Sequence, residues 1–174
     1  LSTTAIRYNG KAVQVQGFAV TCLEYLLRGI GTECMAEYNW SDASNIITTP
    51  NQAQVDALLG YMSQNANEHV LPAVRFSLNA GYWLDVETPN WAANRATYPQ
   101  LAEQYRTLVD RLVATFTEQG MVVILDLHWN DDVTEQEEMA LRGSATSGDS
   151  VEFWKSLAER YGANELVWFE LYNE

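Results

Sequence analysis

Apolar positions along this chain recur in two periods, and their alternation predicts the architecture. The stretch "IRYNGKAVQV" has Asn9-Gly10 between two short β-prone runs, a hairpin signal because both residues tolerate positive φ. The strand pattern continues through Val13, Val15, Phe18 and Val20, and a loop rich in Gly, Ser, Asn and Thr then runs to about Thr49. Thr49 reads as an N-cap with Pro50 at the first helical position, and Val55, Leu58, Leu59 and Met62 form one helical face. "HVLPAVRFSL" is the next strand, followed by a long loop with Trp83 and Trp91. A long helix begins near Tyr98; Leu101, Tyr105, Leu108, Leu112 and Phe116 share its face, and Gly120 sits where it should end. "MVVILDLHW" is a buried strand by its unbroken apolar run. A polar loop follows, and then a helix from Asp149, with Glu152 in capping-box spacing and Phe153, Leu157 and Tyr161 on its buried face. Gly162 ends that helix, and "ELVWFELYNE" is the last strand.

The order is hairpin, then three βα units, then a strand. Strands recur about every 50 residues with a helix between each pair, which calls for a parallel sheet with right-handed crossovers. Loops after strands are long and loops after helices short, as in a (β/α)₈ barrel whose βα loops build the active site. The fold class is therefore α/β: half of such a barrel, four parallel strands with flanking helices and an N-terminal hairpin, over residues 1–174 as one domain. No linker, low-complexity segment or repeat interrupts it.

Strand parity then sorts the chemistry. Arg75, Ser77 and Asn79 share one face of their strand, Ile124, Asp126 and His128 another, and Trp168, Glu170, Tyr172 and Glu174 a third. The opposite parity is almost wholly apolar: Val74 and Phe76, then Val123, Leu125 and Leu127, then Val167, Phe169 and Leu171. The apolar face should pack under helices, and the polar face should point into a barrel interior and converge at its carboxyl end. Arg75, Asp126 and Glu170 have a second reading, as a purely structural ion network inside the sheet. His128 alone reads as a core histidine; its place at a strand end beside Trp129 moves it toward a site.

Composition narrows the function classes. The net charge is −13 over 174 residues. Such a polyanion repels phosphate backbones and anionic lipid surfaces, which disfavours nucleic acid and membrane surfaces alike as partners. No apolar run approaches the roughly 20 residues that span a bilayer. Leu1–Ser2–Thr3 is not itself a signal peptide, and a removed leader fits a secreted protein. The two cysteines, Cys22 and Cys34, read either as buried thiols or as a disulfide closing a short loop. Asp126-x-His128 is a spacing found in metal sites, but the only other histidine, His69, precedes a strand at its opposite end, so no metal and no cofactor is expected. The acidic run Asp131 to Glu138 reads as a solvated loop, with weak calcium binding as the alternative. Of six tryptophans, Trp154 and Trp168 fit core positions, while Trp40, Trp83, Trp91 and Trp129 fall in loops or at strand ends. Indoles beside carboxylates suit a sugar site, because pyranose C–H faces stack on aromatic rings; a loop tryptophan can equally cap the core.

The stretches "VRFSLNAGYWL", "GMVVILDLHWN", "EEMA", "FWKSLAERYG" and "VWFELYNE" occur in an order and spacing that resembles the first half of glycoside hydrolase family 5, the cellulase-type barrels of clan A. The resemblance covers about residues 10–174 and is strongest from Arg75 onward. It implies a retaining endo-β-1,4-glycosidase acting on a β-glucan or a related polysaccharide. Glu174 matches the family's general acid/base, and Asn173 the neighbour that hydrogen-bonds the sugar 2-hydroxyl. Arg75 matches the arginine that orients and tunes the nucleophile, and His128 a substrate-contacting histidine. Trp129 resembles a site wall, with Trp83, Trp40 and Tyr172 as further substrate-binding candidates. "GFAVTCLEY" departs from the family's usual first-strand pattern.

A retaining mechanism needs two carboxyl groups about 5 Å apart. The family's nucleophile lies on strand 7, whereas the sequence reaches only strand 4, and a full barrel takes about 250 residues. The expectation is therefore an acid/base half that is not a free monomer: a symmetric homodimer completing a barrel, or a chain whose C-terminal half lies elsewhere. The alternative is a self-assembling or carbohydrate-binding scaffold with little hydrolysis.

Overall fold

A computed structural model of the chain describes residues 5–20, 23, 41–42, 45–46, 52–64, 69–85, 100–129 and 150–171. The elements are β1 (Arg7–Tyr8), β2 (Lys11–Ala12), β3 (Gln14–Val20), β4 (Ser41–Asp42), β5 (Asn45–Ile46), α1 (Gln52–Gln64), β6 (Val70–Asn79), α2 (Ala80–Leu84), α3 (Leu101–Thr117), β7 (Val122–Trp129), α4 (Ser150–Tyr161) and β8 (Val167–Glu170).

β1 and β2 pair antiparallel across a turn in which Asn9 and Gly10 have φ of 50° and 77°. This is the positive-φ turn that the Asn-Gly pair encodes. β4 and β5 form a second small antiparallel pair. The main sheet has the order β3-β6-β7-β8, and each neighbouring pair is parallel. Sequential strands lie side by side with helices between them, which is a partial α/β barrel laid out in chain order.

The two faces of this sheet divide as parity requires. Val20, Val74, Phe76, Leu78, Val123, Leu125, Leu127 and Val167 join one buried cluster with Val55 and Met62 of α1, Leu108, Leu112 and Phe116 of α3, and Phe153 and Leu157 of α4. On the other face a smaller cluster forms a floor: Leu71, Ala73 and Val122 are buried, with Val13, Val15, Ile124, Leu166 and Trp168 packed against them. At the level of that floor Gly17 pairs with Ala73, and a Cβ at Gly17 would lie 1.7 Å from the Ala73 carbonyl oxygen. Only glycine permits that approach between β3 and β6. Helix α3 ends as its sequence requires, with Gly120 at φ 74° and the Met121 N–H donating to the Phe116 carbonyl at 3.1 Å.

Two features were not legible in the residue pattern. The stretch after β6 is a helix, α2, where a loop was expected. Asn79 caps it: its Oδ1 accepts from the Gly81 and Tyr82 N–H groups at 2.9 and 3.3 Å. Ala80, Gly81, Tyr82 and Trp83 are all buried, so α2 wedges between the strand end and helices α3 and α4. The second feature is a bulge. The β6–β7 register runs Leu78↔Leu127 and then Asn79↔Trp129, so His128 and Trp129 stand opposite the single residue Asn79.

Candidate active site

The polar face of the sheet converges. Ala19, Arg75, Ile124 and Trp168 form one row across the four strands, and Ser77, Asp126 and Glu170 form the next row toward the carboxyl ends. Arg75 reaches up from the lower row to the two carboxylates. Its Nε donates to Glu170 Oε2 at 2.7 Å, and its Nη2 donates to Glu170 Oε1 at 3.0 Å. Nη2 also lies 2.9 Å from Asp126 Oδ2. The same Oδ2 is 2.7 Å from His128 Nδ1. Three strands thus deliver one guanidinium, two carboxylates and one imidazole to one place, above an apolar floor that strengthens each charge–charge contact.

Burial is uneven within this group. The Asp126 side chain is fully buried, whereas His128 is 18% and Glu170 38% exposed. Arg75's hydrogen bonds hold the Glu170 carboxyl below the usual carboxylate range, against the opposing pull of desolvation, and the charges of Arg75 and His128 act in the same direction. A carboxyl held ionised by an arginine suits fixing that guanidinium more than donating a proton to a leaving group. Asp126 Oδ1 and the Ser77 hydroxyl, side by side in the register, are buried with no hydrogen-bond partner among the described residues. Unmet buried polar atoms are costly, and they concentrate where a structure serves more than stability.

Arg75 and His128 therefore meet, through Asp126. Parity places Asp126 and Glu170 on the converging face, and the ion network with Arg75 that the residues suggest is present; that Asp126 also reaches His128 is signalled only by the period-two spacing. One expectation is corrected. Trp83 is not available to a sugar: it is 1% exposed. Its Nε1 donates to Ser156 Oγ at 3.0 Å and its ring lies edge-on to Phe153, because the helix α2 turns it into the core between α3 and α4. Asn79, at the end of β6, caps α2 through its Oδ1. Trp129 closes β7, and nothing is described of its side chain. Glu174, Asn173, Tyr172 and Trp40 lie outside the described residues, as do Cys22, Cys34, Thr49, Pro50, Trp91, Asp149 and the acidic run Asp131 to Glu138.

The family model described as cellulase, glycosyl hydrolase family 5, matches residues 73–174, more than half of the chain. The chain belongs to glycosyl hydrolase family 5. The match begins on β6 just before Arg75 and takes in every member of the converging group. Membership makes glycoside hydrolysis the activity class and a polysaccharide the substrate class. No curated protein and no solved structure matches the chain. No helix among the described residues is long and apolar enough to cross a membrane, and none of them form a group of three or more His, Cys, Asp or Glu placed to hold a metal ion.

Proposed function

We propose that this family 5 chain contributes the acid/base side of a retaining endo-β-1,4-glycosidase acting on a cellulose-like β-glucan. The observation that carries this reading is the convergence of Arg75, Asp126, His128 and Glu170 at the carboxyl ends of three parallel strands, where barrel enzymes place their chemistry. β8 ends at Glu170, and Asn173-Glu174 follow it in the sequence. In this proposal Glu174 protonates the glycosidic oxygen and then deprotonates water, Asn173 holds the sugar 2-hydroxyl, and His128 contacts the sugar. Arg75 tunes the nucleophile side, with Glu170 and Asp126 fixing its guanidinium. Trp129, Tyr172 and Trp40 supply walls. A polymeric substrate supports secretion.

The acid/base assignment is tested on a soluble β-1,4-glucan. Glu174→Gln lowers the hydrolysis rate about 10²- to 10⁴-fold; an unchanged rate rejects it. β3 and β8 are the edge strands of the four-stranded sheet, and edges of this kind invite pairing. We extend the proposal to an assembly with a second copy of the chain. Light scattering at micromolar concentration should give a mass above that of one chain, and a monomer overturns that extension.

A further inference from the structure

Asp126 is the joint of the converging group. One of its oxygens, Oδ2, meets two nitrogens on opposite sides: Arg75 Nη2 at 2.9 Å and His128 Nδ1 at 2.7 Å. The guanidinium is also held by its two bonds to Glu170, which orient it toward Oδ2. A guanidinium nitrogen only donates. An oxygen that already accepts from a cation is a poor seat for a proton, so the proton in the Asp126–His128 contact belongs to nitrogen. A neutral imidazole carries one N–H, and the carboxylate requires it at Nδ1.

We propose that Asp126 is a positioning residue that holds neutral His128 as its Nδ1–H tautomer, so that Nε2 carries the ring's lone pair and a sugar hydroxyl meeting it has to donate. This favours a free hydroxyl over an ether oxygen at that point of the substrate. The identity of the incoming group rests on the glycosidase reading; the tautomer is a property of the folded chain alone.

The test is ¹⁵N NMR of the uniformly labelled chain as pH is raised past the histidine titration. The sequence has two histidines, and exposed His69, at the opposite end of β6, is the internal reference. The expected pattern for His128 is a protonated Nδ1 and a bare Nε2, with loss of that pattern in Asp126→Leu, which offers no acceptor. A bare Nδ1 in the unaltered chain overturns the proposal, and so does a pattern that persists unchanged in Asp126→Leu. Should Asp126→Leu fail to fold, the unaltered chain still decides the tautomer. The outcome is independent of hydrolysis: a chain with the Nδ1–H pattern whose Glu174→Gln variant hydrolyses glucan unchanged rejects the glycosidase reading and leaves the tautomer standing.

Discussion

Among the described residues, two guanidinium–carboxylate groups are built from the same parts and put to different use. In one, Arg160 of α4 donates through Nε to Asp110 Oδ1 of α3 at 2.5 Å and through Nη2 to Asp110 Oδ2, while the Tyr161 hydroxyl donates to Oδ1. The Arg160 guanidinium also lies 5.9 Å from the centre of the Trp83 ring. One cation faces one carboxylate. The bond to Asp110 holds the guanidinium's acidity down, and burial, reinforced by the same aspartate, pushes the Tyr161 phenol up, so Arg160 keeps its charge and Tyr161 its proton near neutrality. In the other group, Arg75 faces both Asp126 and Glu170, and two buried polar atoms beside it have no hydrogen-bond partner among the described residues. The helix pair is closed and balanced; it ties α3 to α4 and has nothing left to offer. The strand-end group carries one carboxylate more than its arginine can neutralise, and an imidazole beside it. That imbalance is what a site has and a clasp lacks.

The contrast can be broken most forcefully at Arg75. Arg75→Met strips the buried Asp126 carboxylate of a cationic neighbour and should cost about 3 kcal/mol in denaturant unfolding; a loss below about 1 kcal/mol would make the two groups equivalent. Arg160 and Asp110 are partly exposed, 45% and 32%, so Arg160→Met should cost only about 0.5 kcal/mol, weakening further at high salt. The smallest effect is on pH. Glu170 has a folded-state acidity below its ordinary range, so its contribution to stability is present above the unfolded carboxylate range and is lost as pH falls through the lowered folded value. Glu170→Gln should flatten that part of the acid limb in a thermal-unfolding series; an acid limb as steep as before would place the Arg75–Glu170 bond among contacts that do not matter to folding.

How far the sequence could be read follows from the range of the interactions involved. Strand faces and long helices depend on neighbours two to four residues apart, and those patterns placed Arg75, Asp126, His128 and Glu170 on one face before any contact was known. Helix α2 escaped because five residues do not complete a recognisable period, and "AGYWL" looks like an aromatic loop until Asn79 is seen as its cap. Trp83 was misplaced for the same reason: its burial is decided by Phe153, Tyr161 and Ser156, some 70 residues away in sequence. The Arg160–Asp110 clasp is likewise a contact between helices 50 residues apart, with no local signature. In the strand-end group, residue types and parity were legible, but the shared oxygen of Asp126 was not, since that depends on how three strands align.

The bulge at the end of β7 bears on how such a protein can change over generations. Hydrogen-bonded ladders resist substitution and shifts of register, because each residue is tied to a neighbour across the sheet. Here the ladder passes from Leu127 to Trp129, and His128 is the additional residue in the β7 strand. Variation at that point can redirect what the strand end presents while the pairing with β6 below it stays in phase. A fold arranged in this way can acquire a new preference for its ligand without first having to rebuild its framework.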